Sequence, residues 1–420
     1  MLRTLDAPAP FRGTEVHTLS NGLTVILKED HRVPVVALQV WARCGAIDES
    51  PSIYGISHGL EHMVFKGTPT RSAGEITRAI EANGGSMNAA TQMETTHYYI
   101  DVPSYGADKA LDVLADTILN PIFPQEELER ERLVILEEIH RRDDSPDATL
   151  WDEFAAHVFH GTPYGIKVIG SIATVSGLTR DDLTKYYRAH YVPEKLVIVV
   201  TGDISKKKVR AKLEKLFGGM EAKTPPGIQT IQNGALRDLR QEIKRPVQMA
   251  YTAMGFPSIG LGDDDSVALD VVADVLGGSL SSRLHQKIRE EKQLALGVSC
   301  DYMPFGGQGL FALFVETLPG KHKIAEDAVR EEMSRVRKNP FNNEELTRAK
   351  ARIKSEWLQG SETAHGQASS LGTLATLGYI DVIEDYLGEV DALTTDDLMM
   401  AFEKHVAGRE LWVTALLPQS

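Results

Sequence analysis

Residues 54–69 contain the side chains that could most readily do chemistry. The segment reads YGISHGLEHMVFKGTP, and the glycine and proline near its end predict a helix that stops near Lys66. At about 100° per residue, such a helix presents His58, Glu61 and His62 on one side and apolar residues on the other. Two histidines four residues apart can chelate one divalent ion, and neutral imidazole suits zinc. Glu61 beside them could take a proton from water at the metal.

The pattern H-x-x-E-H inverts the zincin pattern H-E-x-x-H and occurs among metallopeptidases. Alone it is only moderately specific, because a histidine pair on an amphipathic helix can also be a solvated or hydrogen-bonded pair without a metal. A catalytic zinc usually takes three protein ligands and leaves one position for water. The sequence must therefore supply a third ligand elsewhere.

Residues 124–142 supply two candidates for that ligand. They read PQEELERERLVILEEIHRR, which predicts a helix with proline and acids in its first turn. Glu131 and Glu138 project into its apolar side, and burying carboxylates there is costly unless a cation or a donor compensates. A metal would compensate, although a helix with two solvated acids at a domain edge remains the alternative. The apolar side holds Leu128, Val134, Ile135 and Ile139.

The elements that must position these residues occur twice in the chain. The segment FPQEELERERLVILEE from Phe123 returns as FNNEELTRAKARIKSE from Phe341. LTRDDL from Leu178 returns as LTTDDL from Leu393, at nearly the same separation along the chain. Each of the latter is followed by a histidine and an apolar, strand-like run. Two matches in the same order at nearly equal offsets predict an internal tandem repeat.

The repeat predicts an α+β fold with two homologous domains. Runs such as LTVIL, VVALQVWA and THYYIDV are typical of strands, and residues 107–120, 124–142 and 180–190 have helical spacing. Each domain is expected to be a mostly antiparallel sheet with packed helices. We place the metal-binding domain at 1–217, a Gly- and Pro-rich linker at 218–238 and the second domain at 239–420.

Composition excludes several classes of protein. The 420 residues carry a formal charge of −14 and a pI near 5.4, which argues against nucleic acid and anionic lipid as partners. Two distant cysteines exclude a disulfide framework and a cysteine-rich metal site. No apolar run reaches the ~18 residues that cross a bilayer, and no signal peptide is evident. We expect no membrane insertion and a cytoplasmic location, or a periplasmic one if a signal peptide was removed.

HGLEH at 58–62, together with Glu138 and another acid seven residues before it, resembles the motif of the pitrilysin/insulinase family of inverted zinc metallopeptidases. The tandem repeat and the length are similar to the short, two-domain branch that includes mitochondrial processing peptidase and its bacterial relatives. The resemblance extends from Asn21 to near Leu417. It implies one Zn²⁺ per chain on His58, His62 and Glu138, with Glu61 as general base and Glu131 as a catalytic-site acid that supports the ligands.

The same resemblance implies substrate contacts. The stretch SMNAATQMETTHYY from residue 86 is similar to the edge strand on which an extended peptide adds, with Asn88 and Ala89 touching it. SSRLHQKIREEKQLALGVS is similar to a C-terminal clamp of an arginine and a tyrosine seven residues later. Arg289 fits the arginine, but Leu296 stands at the tyrosine position. Tyr302, six residues further on, is the residue that could substitute.

The resemblance implies a zinc endopeptidase that hydrolyses short or unfolded peptides in an enclosed chamber. The second domain is expected to bind no metal, since no HxxEH follows residue 220 and Ala349 aligns with Glu131. Because Leu296 breaks the clamp, we expect the chain to be the metal-bearing subunit of a heterodimer with a homologous partner, with a homodimer still open. The alternative is a non-catalytic core subunit of the same fold. A nucleotide-binding protein is disfavoured, because GGSLSSR lacks the P-loop lysine.

Overall fold

The computed structural model describes residues 2–227 and 238–419, which form two compact units. The division differs from the contiguous domains at 1–217 and 239–420, because the helical segments 141–165 and 358–385 each pack on the sheet of the opposite half of the sequence. Residues 228–237 of the expected linker lie outside the described residues. Of the described residues, unit 1 comprises 2–140, 166–227 and 358–385, and unit 2 comprises 141–165, 238–357 and 386–419.

Unit 1 is built on a seven-stranded sheet and a small hairpin. Its strands are β1 (Leu2–Thr4), β2 (Glu15–Thr18), β3 (Thr24–Glu29), β4 (Val35–Ala42), β5 (Gly67–Thr68), β6 (Arg71–Ser72), β7 (Ser86–Thr91), β8 (Thr96–Pro103) and β9 (Leu196–Gly202). The order in the sheet is β1-β2-β3-β9-β4-β8-β7, with β5 and β6 paired separately. All neighbours are antiparallel except β3 and β9, so the expectation of a mostly antiparallel sheet is confirmed.

Unit 2 has a five-stranded sheet of the same character. Its strands are β10 (Arg240–Arg245), β11 (Ala250–Ser258), β12 (Gly297–Pro304), β13 (Gly309–Thr317) and β14 (Trp412–Pro418). They lie in the order β10-β14-β11-β13-β12, and β10 with β14 is the one parallel pair among the described strands of this sheet. The predicted α+β class is therefore confirmed in both units.

The helices pack on both faces of these sheets. Short 3₁₀ turns lie at Ala46–Asp48, Pro51–Ile53, Ser104–Gly106, Pro163–Gly165 and Pro193–Lys195, and a π-helical turn lies at His285–Glu291. Among the described helices, none has a stretch both long and apolar enough to cross a bilayer. The α-helices are α1 (Ile56–Val64), α2 (Ala73–Glu81), α3 (Ala107–Leu119), α4 (Gln125–Asp143), α5 (Pro146–Val158), α6 (Ile172–Gly177), α7 (Arg180–His190), α8 (Lys206–Phe217), α9 (Ser266–Gly277), α10 (His322–Arg335), α11 (Asn343–Gly360), α12 (Ala364–Leu377), α13 (Val382–Ala392) and α14 (Thr395–His405).

Alternation along β4 divides the two faces of the unit 1 sheet. Leu38 and Val40 point into the core that also holds the buried side of α1. Trp41 lies on the opposite face, where the side chain of Gln39 donates a hydrogen bond to Ser369 of α12 at 3.1 Å. Helix α12 thus covers the face of the sheet opposite to the one on which α1 packs.

Unit 2 repeats this arrangement with a helix from the first half of the sequence. One face of its sheet packs against α9, α10 and α14 in a large apolar core. The other face receives α5, whose Leu150 and Phe154 pack with Ala253 and Leu416. Each unit therefore takes one covering helix from the other half of the repeat.

In unit 2, helix α11 occupies the position that the repeat relates to α4, and there an arginine pairs with the acids. Ala349, which aligns with Glu131, is buried in the core and offers no ligand atom. Glu356, which aligns with Glu138, instead accepts a hydrogen bond from Arg352. The same guanidinium contacts Asp274, a buried acid on α9. The guanidinium of Arg352 therefore neutralises these carboxylates. A metal site at the aligned position would instead need an ion from solution.

Replacing Arg352 with methionine should lower the free energy of unfolding by about 2 kcal/mol, because Asp274 would remain buried without its cation. This value is below that of a fully buried pair, because 35% of the Arg352 side chain is exposed. Urea unfolding in the presence of a chelator measures it without a contribution from bound metal. The double variant with Asp274→Asn should recover part of the loss, and an unchanged single variant would refute the assignment.

A second prediction concerns the packing of α12. A Cβ added at Gly372 would overlap the indole nitrogen Nε1 of Trp41, so Gly372→Ala should destabilise the protein by about 2 kcal/mol. Gly388 of α13 is the matched control, because a Cβ there meets nothing within 4 Å. Gly388→Ala should stabilise by about 0.5–1 kcal/mol through backbone entropy. Equal melting temperatures for the two variants would contradict the packing of α12 against Trp41.

Candidate metal centre

Helix α1 is amphipathic in the way that the sequence predicts. Four residues on one side are fully buried, while the other side presents two imidazoles and a carboxylate that are only partly buried. The helix ends at Val64, two residues before the predicted stop, and the β5 strand begins at Gly67. The buried side consists of Ile56, Leu60, Met63 and Val64.

Helix α4 brings acids toward that exposed side of α1. Leu128, Ile135 and Ile139 are buried as expected, and they fix which side of the helix faces the protein. Val134, which the sequence placed on the apolar side, is 41% exposed, so that side is narrower than predicted. Glu138 is partly buried on the side that meets α1.

Three possible ligand atoms converge between the two helices. Oε2 of Glu138 lies 3.7 Å from Nε2 of His58 and 3.5 Å from Nε2 of His62. The ligand atoms of the three residues all lie within 4.8 Å of one another. Tetrahedral zinc with bonds near 2.0–2.1 Å separates its ligand atoms by about 3.4 Å, so the spacing suits such an ion. Two imidazoles and one carboxylate also match the donor types of a catalytic zinc site.

Glu131 holds one of these imidazoles from behind. Its Oε2 lies 2.9 Å from Nδ1 of His62, and its Oε1 lies 2.6 Å from Nζ of Lys66. Burial raises the pKa of Glu131, but the hydrogen bonds from Lys66 and His62 outweigh burial and leave it below its usual value. The carboxylate is thus kept ionised, and it directs Nε2 of His62 toward Glu138. This position fits the supporting role expected of Glu131.

Glu61 lies on α1 between the two histidines and has its own partner. Oγ1 of Thr91, at the end of strand β7, donates a hydrogen bond of 2.6 Å to Oε2 of Glu61. Burial raises the pKa of Glu61, and the Thr91 hydrogen bond opposes that rise. A carboxylate with a raised pKa beside the three ligand atoms has the proton affinity that a general base needs.

Sequence reasoning missed Lys66 and Thr91 as site residues. Lys66 follows His62 by four residues, so helical spacing could have placed it beside the site. Thr91 had no such signal, because its contact with Glu61 depends on how β7 crosses α1.

Strand β7 is an edge of the unit 1 sheet. It pairs with β8, and no other described strand pairs with it. Asn88 is exposed and Ala89 is partly buried, and Oδ1 of Asn88 accepts a hydrogen bond from the Ala89 backbone N–H at 2.9 Å. The strand is therefore open to an added strand, and its contact with substrate stays a prediction.

The expected clamp residues lie in unit 2. Arg289 is in the π-helical turn, with Nη1 2.7 Å from Nε2 of His285, and its role stays a prediction. Leu296 is 45% exposed. Tyr302, considered above as a substitute for the missing tyrosine, is buried, and its hydroxyl donates to the carbonyl of Ile259 at 3.0 Å. The sequence-based substitute is therefore wrong, because Tyr302 is a core residue.

Unit 2 also contains a second group of possible ligand atoms. Asp263, Asp265 and His405 offer atoms that lie within 4.8 Å of one another. Oδ2 of Asp265 already lies 2.5 Å from Nζ of Lys404 and 2.7 Å from Nε2 of His405. These N–H donors account for the cluster without an ion.

Comparisons of the sequence agree with this architecture. The sequence pattern described as Insulinase (Peptidase family M16) matches residues 24–171, and the pattern described as Peptidase M16 inactive domain matches residues 177–353. An uncharacterized zinc protease of Bacillus subtilis, YmxG, is 31% identical over 90% of this chain and 92% of its own length. An uncharacterized zinc protease of Mycobacterium leprae is 33% identical over 91% of this chain and 86% of its own length.

Solved structures show the same fold. A protease from Helicobacter pylori is similar with a TM-score of 0.89 at 24% identity, over 96% of this chain and 99% of its own. A putative M16-like peptidase from Alicyclobacillus acidocaldarius gives a TM-score of 0.86 at 22% identity, over 99% of this chain and all of its own. Given the full-length likeness to the relatives above, the chain belongs to the insulinase family of peptidases, M16, in its short two-domain form.

Proposed function

We propose that the chain is a zinc-dependent endopeptidase whose metal is held by His58, His62 and Glu138. The convergence of these three ligand atoms within 4.8 Å, with Glu61 on the same turn of α1, carries the proposal. Relatives that are named zinc proteases and that match nearly the whole chain support it.

The side chains around the site have distinct tasks. When bound, zinc supplies Lewis acidity, which polarises a carbonyl group and makes water more acidic. Glu61 accepts the proton of the attacking water at its carboxylate and returns it to the leaving nitrogen as the C–N bond breaks. Thr91 orients Glu61 through the hydrogen bond of 2.6 Å. Glu131 keeps His62 in the tautomer that presents Nε2 to the metal.

The open edge of β7 supports a peptide as the substrate. An extended peptide can pair with the free backbone groups of residues 86–91, with Asn88 and Ala89 beside it. A folded protein presents few extended segments, so short or unfolded peptides are the proposed class. Enclosure of the site in a chamber would reinforce this selection.

Leu296 supports a partner subunit. A leucine side chain cannot donate a hydrogen bond to a substrate carbonyl, and the buried Tyr302 cannot replace it. We therefore propose that this chain is the metal-bearing subunit of a dimer whose homologous partner supplies the tyrosine. The second candidate, a non-catalytic core subunit, is favoured by the same leucine and by the match to the inactive-domain pattern.

Separate substitutions distinguish the ligands from the base. His58→Ala, His62→Ala and Glu138→Gln should each remove stoichiometric zinc, because a three-ligand site loses most of its affinity with any ligand. Glu61→Gln should keep zinc and lose about 10³-fold or more of kcat, since only the proton acceptor is removed. Metal analysis by mass spectrometry and a quenched-peptide assay measure the two effects.

Glu137→Gln is the matched control, because this neighbouring acid of α4 is exposed. It should retain both zinc and activity. Full zinc occupancy in Glu138→Gln would exclude the third ligand, and loss of zinc in Glu61→Gln would show that the roles on α1 are misassigned.

A further prediction concerns the missing tyrosine. One lost transition-state hydrogen bond typically costs about 10²-fold in rate, so the chain alone should hydrolyse peptides poorly. Leu296→Tyr should raise kcat/KM of the isolated chain, and a homologous subunit with tyrosine at this position should restore activity to wild type. Leu280→Tyr controls for a new exposed aromatic ring, since Leu280 is 70% exposed in the same unit.

Other outcomes would redirect the proposal. Full activity of the isolated wild type, with no gain from Leu296→Tyr, would replace the heterodimer with a homodimer that relies on Arg289. No hydrolysis by the zinc-loaded chain, with or without a homologous subunit, would favour the non-catalytic core subunit.

A further inference from the structure

Helix α1 begins without a cap of its own. Its first residue follows Gly55, which has φ of +92° and no side chain to accept from the first turn. A Cβ at Gly55 would lie 2.7 Å from the carbonyl oxygen of Ile169, so a larger capping residue does not fit there. The N–H groups of the first turn need an acceptor from elsewhere, because they are buried.

Glu49 is that acceptor. Its Oε2 accepts a hydrogen bond from the backbone N–H of Gly55 at 2.7 Å, and its Oε1 accepts one from Ser57 at 2.8 Å. The residue is only 2% exposed. Among the described residues it makes no ion pair, whereas the neighbouring acid Asp48 pairs with Lys195 at 2.9 Å. The positive charge that faces Glu49 is thus the partial charge of the helix N-terminus.

This arrangement bears directly on the metal ligands. Helix α1 has nine residues, and His58 is the third of them, next to Ser57. The two hydrogen bonds that Glu49 accepts hold the backbone of this first turn, directly beside the histidine. The bidentate contact also limits sliding and rotation of a helix whose histidines must stand within bonding distance of one ion. The hydroxyl of Ser57 lies 2.8 Å from that of Tyr186, which anchors the same turn from a second direction.

We propose that Glu49 is a positioning residue of the metal centre, which holds the first turn of α1 and so sets the place of His58 and His62. The inference rests on the proposed function only for the assignment of the metal to these histidines. Glu49 does not touch the ion or the substrate, and it acts through the backbone of α1.

Burial of the Glu49 side chain has an energetic cost. It raises the pKa of Glu49 to about 8, and the backbone hydrogen bonds from Ser57 and Gly55 act against that rise. A buried acid with no side-chain cation costs stability, so its contacts with α1 must offset the cost.

Zinc affinity of the full chain tests the proposal. Glu49→Gln replaces one of the two acceptor oxygens with an N–H₂ group that faces a backbone N–H donor, so it should weaken zinc binding about 10-fold or more. Glu49→Asp keeps both acceptor oxygens with a shorter reach, so its zinc affinity should lie between those of wild type and Glu49→Gln. Asp48→Asn is the control, because it removes a buried acid of the same turn whose hydrogen bonds go to Gly45 and Lys195 and not to the backbone of α1. It should lower the melting temperature of the metal-free protein and leave zinc affinity within about 3-fold of wild type.

Chelator competition on folded protein, checked by circular dichroism, gives these affinities. A purely structural cap would lower the melting temperature of Glu49→Gln while zinc affinity stayed at the wild-type value, and that result would overturn the proposal. If Glu49→Gln does not fold, Glu49→Asp decides: weakened zinc binding supports the proposal, and wild-type affinity rejects it.

The assay also separates this inference from the proposed function. Weak zinc binding in Glu49→Gln, together with no peptide hydrolysis by wild type, would retain Glu49 as a positioning residue and reject the peptidase. Hydrolysis by wild type with unaltered zinc in Glu49→Gln would do the reverse. In an active enzyme, Glu49→Gln with zinc at saturation should lower kcat more than it changes KM, because the substrate strand is untouched.

Discussion

The contact between His62 and Glu131 is the one on which the packing of the candidate metal centre depends. It joins α1 to α4 at 2.9 Å, and it also decides which imidazole nitrogen is left for an ion. Helix α4 is highly charged, and its buried stripe is narrow. It can lie against α1 because its inward carboxylate meets His62 and Lys66, since the same carboxylate against an apolar surface would be costly. Glu138 then reaches the histidines as a consequence of that packing.

The two units differ in how the charge of their inward carboxylates is balanced. In unit 1 the inward acid of α4 and the histidines of α1 leave room for a cation from solution. In unit 2 Arg352 supplies a permanent cation to Asp274 and Glu356. A guanidinium satisfies carboxylates without any exchangeable ligand position, so unit 2 repeats the packing of unit 1 without its set of possible ligand atoms.

Local sequence patterns were enough to predict much of this site. Period and spacing in the sequence predict α1 and α4 to within two residues of their observed ends. They also place His58 and His62 on one side of α1 and Glu138 on the inward side of α4. Contacts between separate elements could not be predicted from local patterns. Thr91 depends on the crossing of β7 over α1, and the burial of Tyr302 depends on a neighbouring loop. The apolar stripe of a helix likewise indicates that the helix packs on a sheet, but not on which one. The sequence therefore did not predict the exchange of covering helices, in which α5 packs in unit 2 and α12 in unit 1.

That exchange has a consequence for how the chain is made. Unit 1 includes residues 358–385, so its sheet lacks one covering helix until synthesis is nearly complete. A ribosome that has translated the chain only as far as Phe217 has produced neither unit, and the face around Trp41 is still uncovered. Exposed sheet faces of this kind are prone to aggregation during synthesis. Translation must therefore pass the α12 segment before unit 1 can close, which couples completion of the candidate site to synthesis of the second half of the chain.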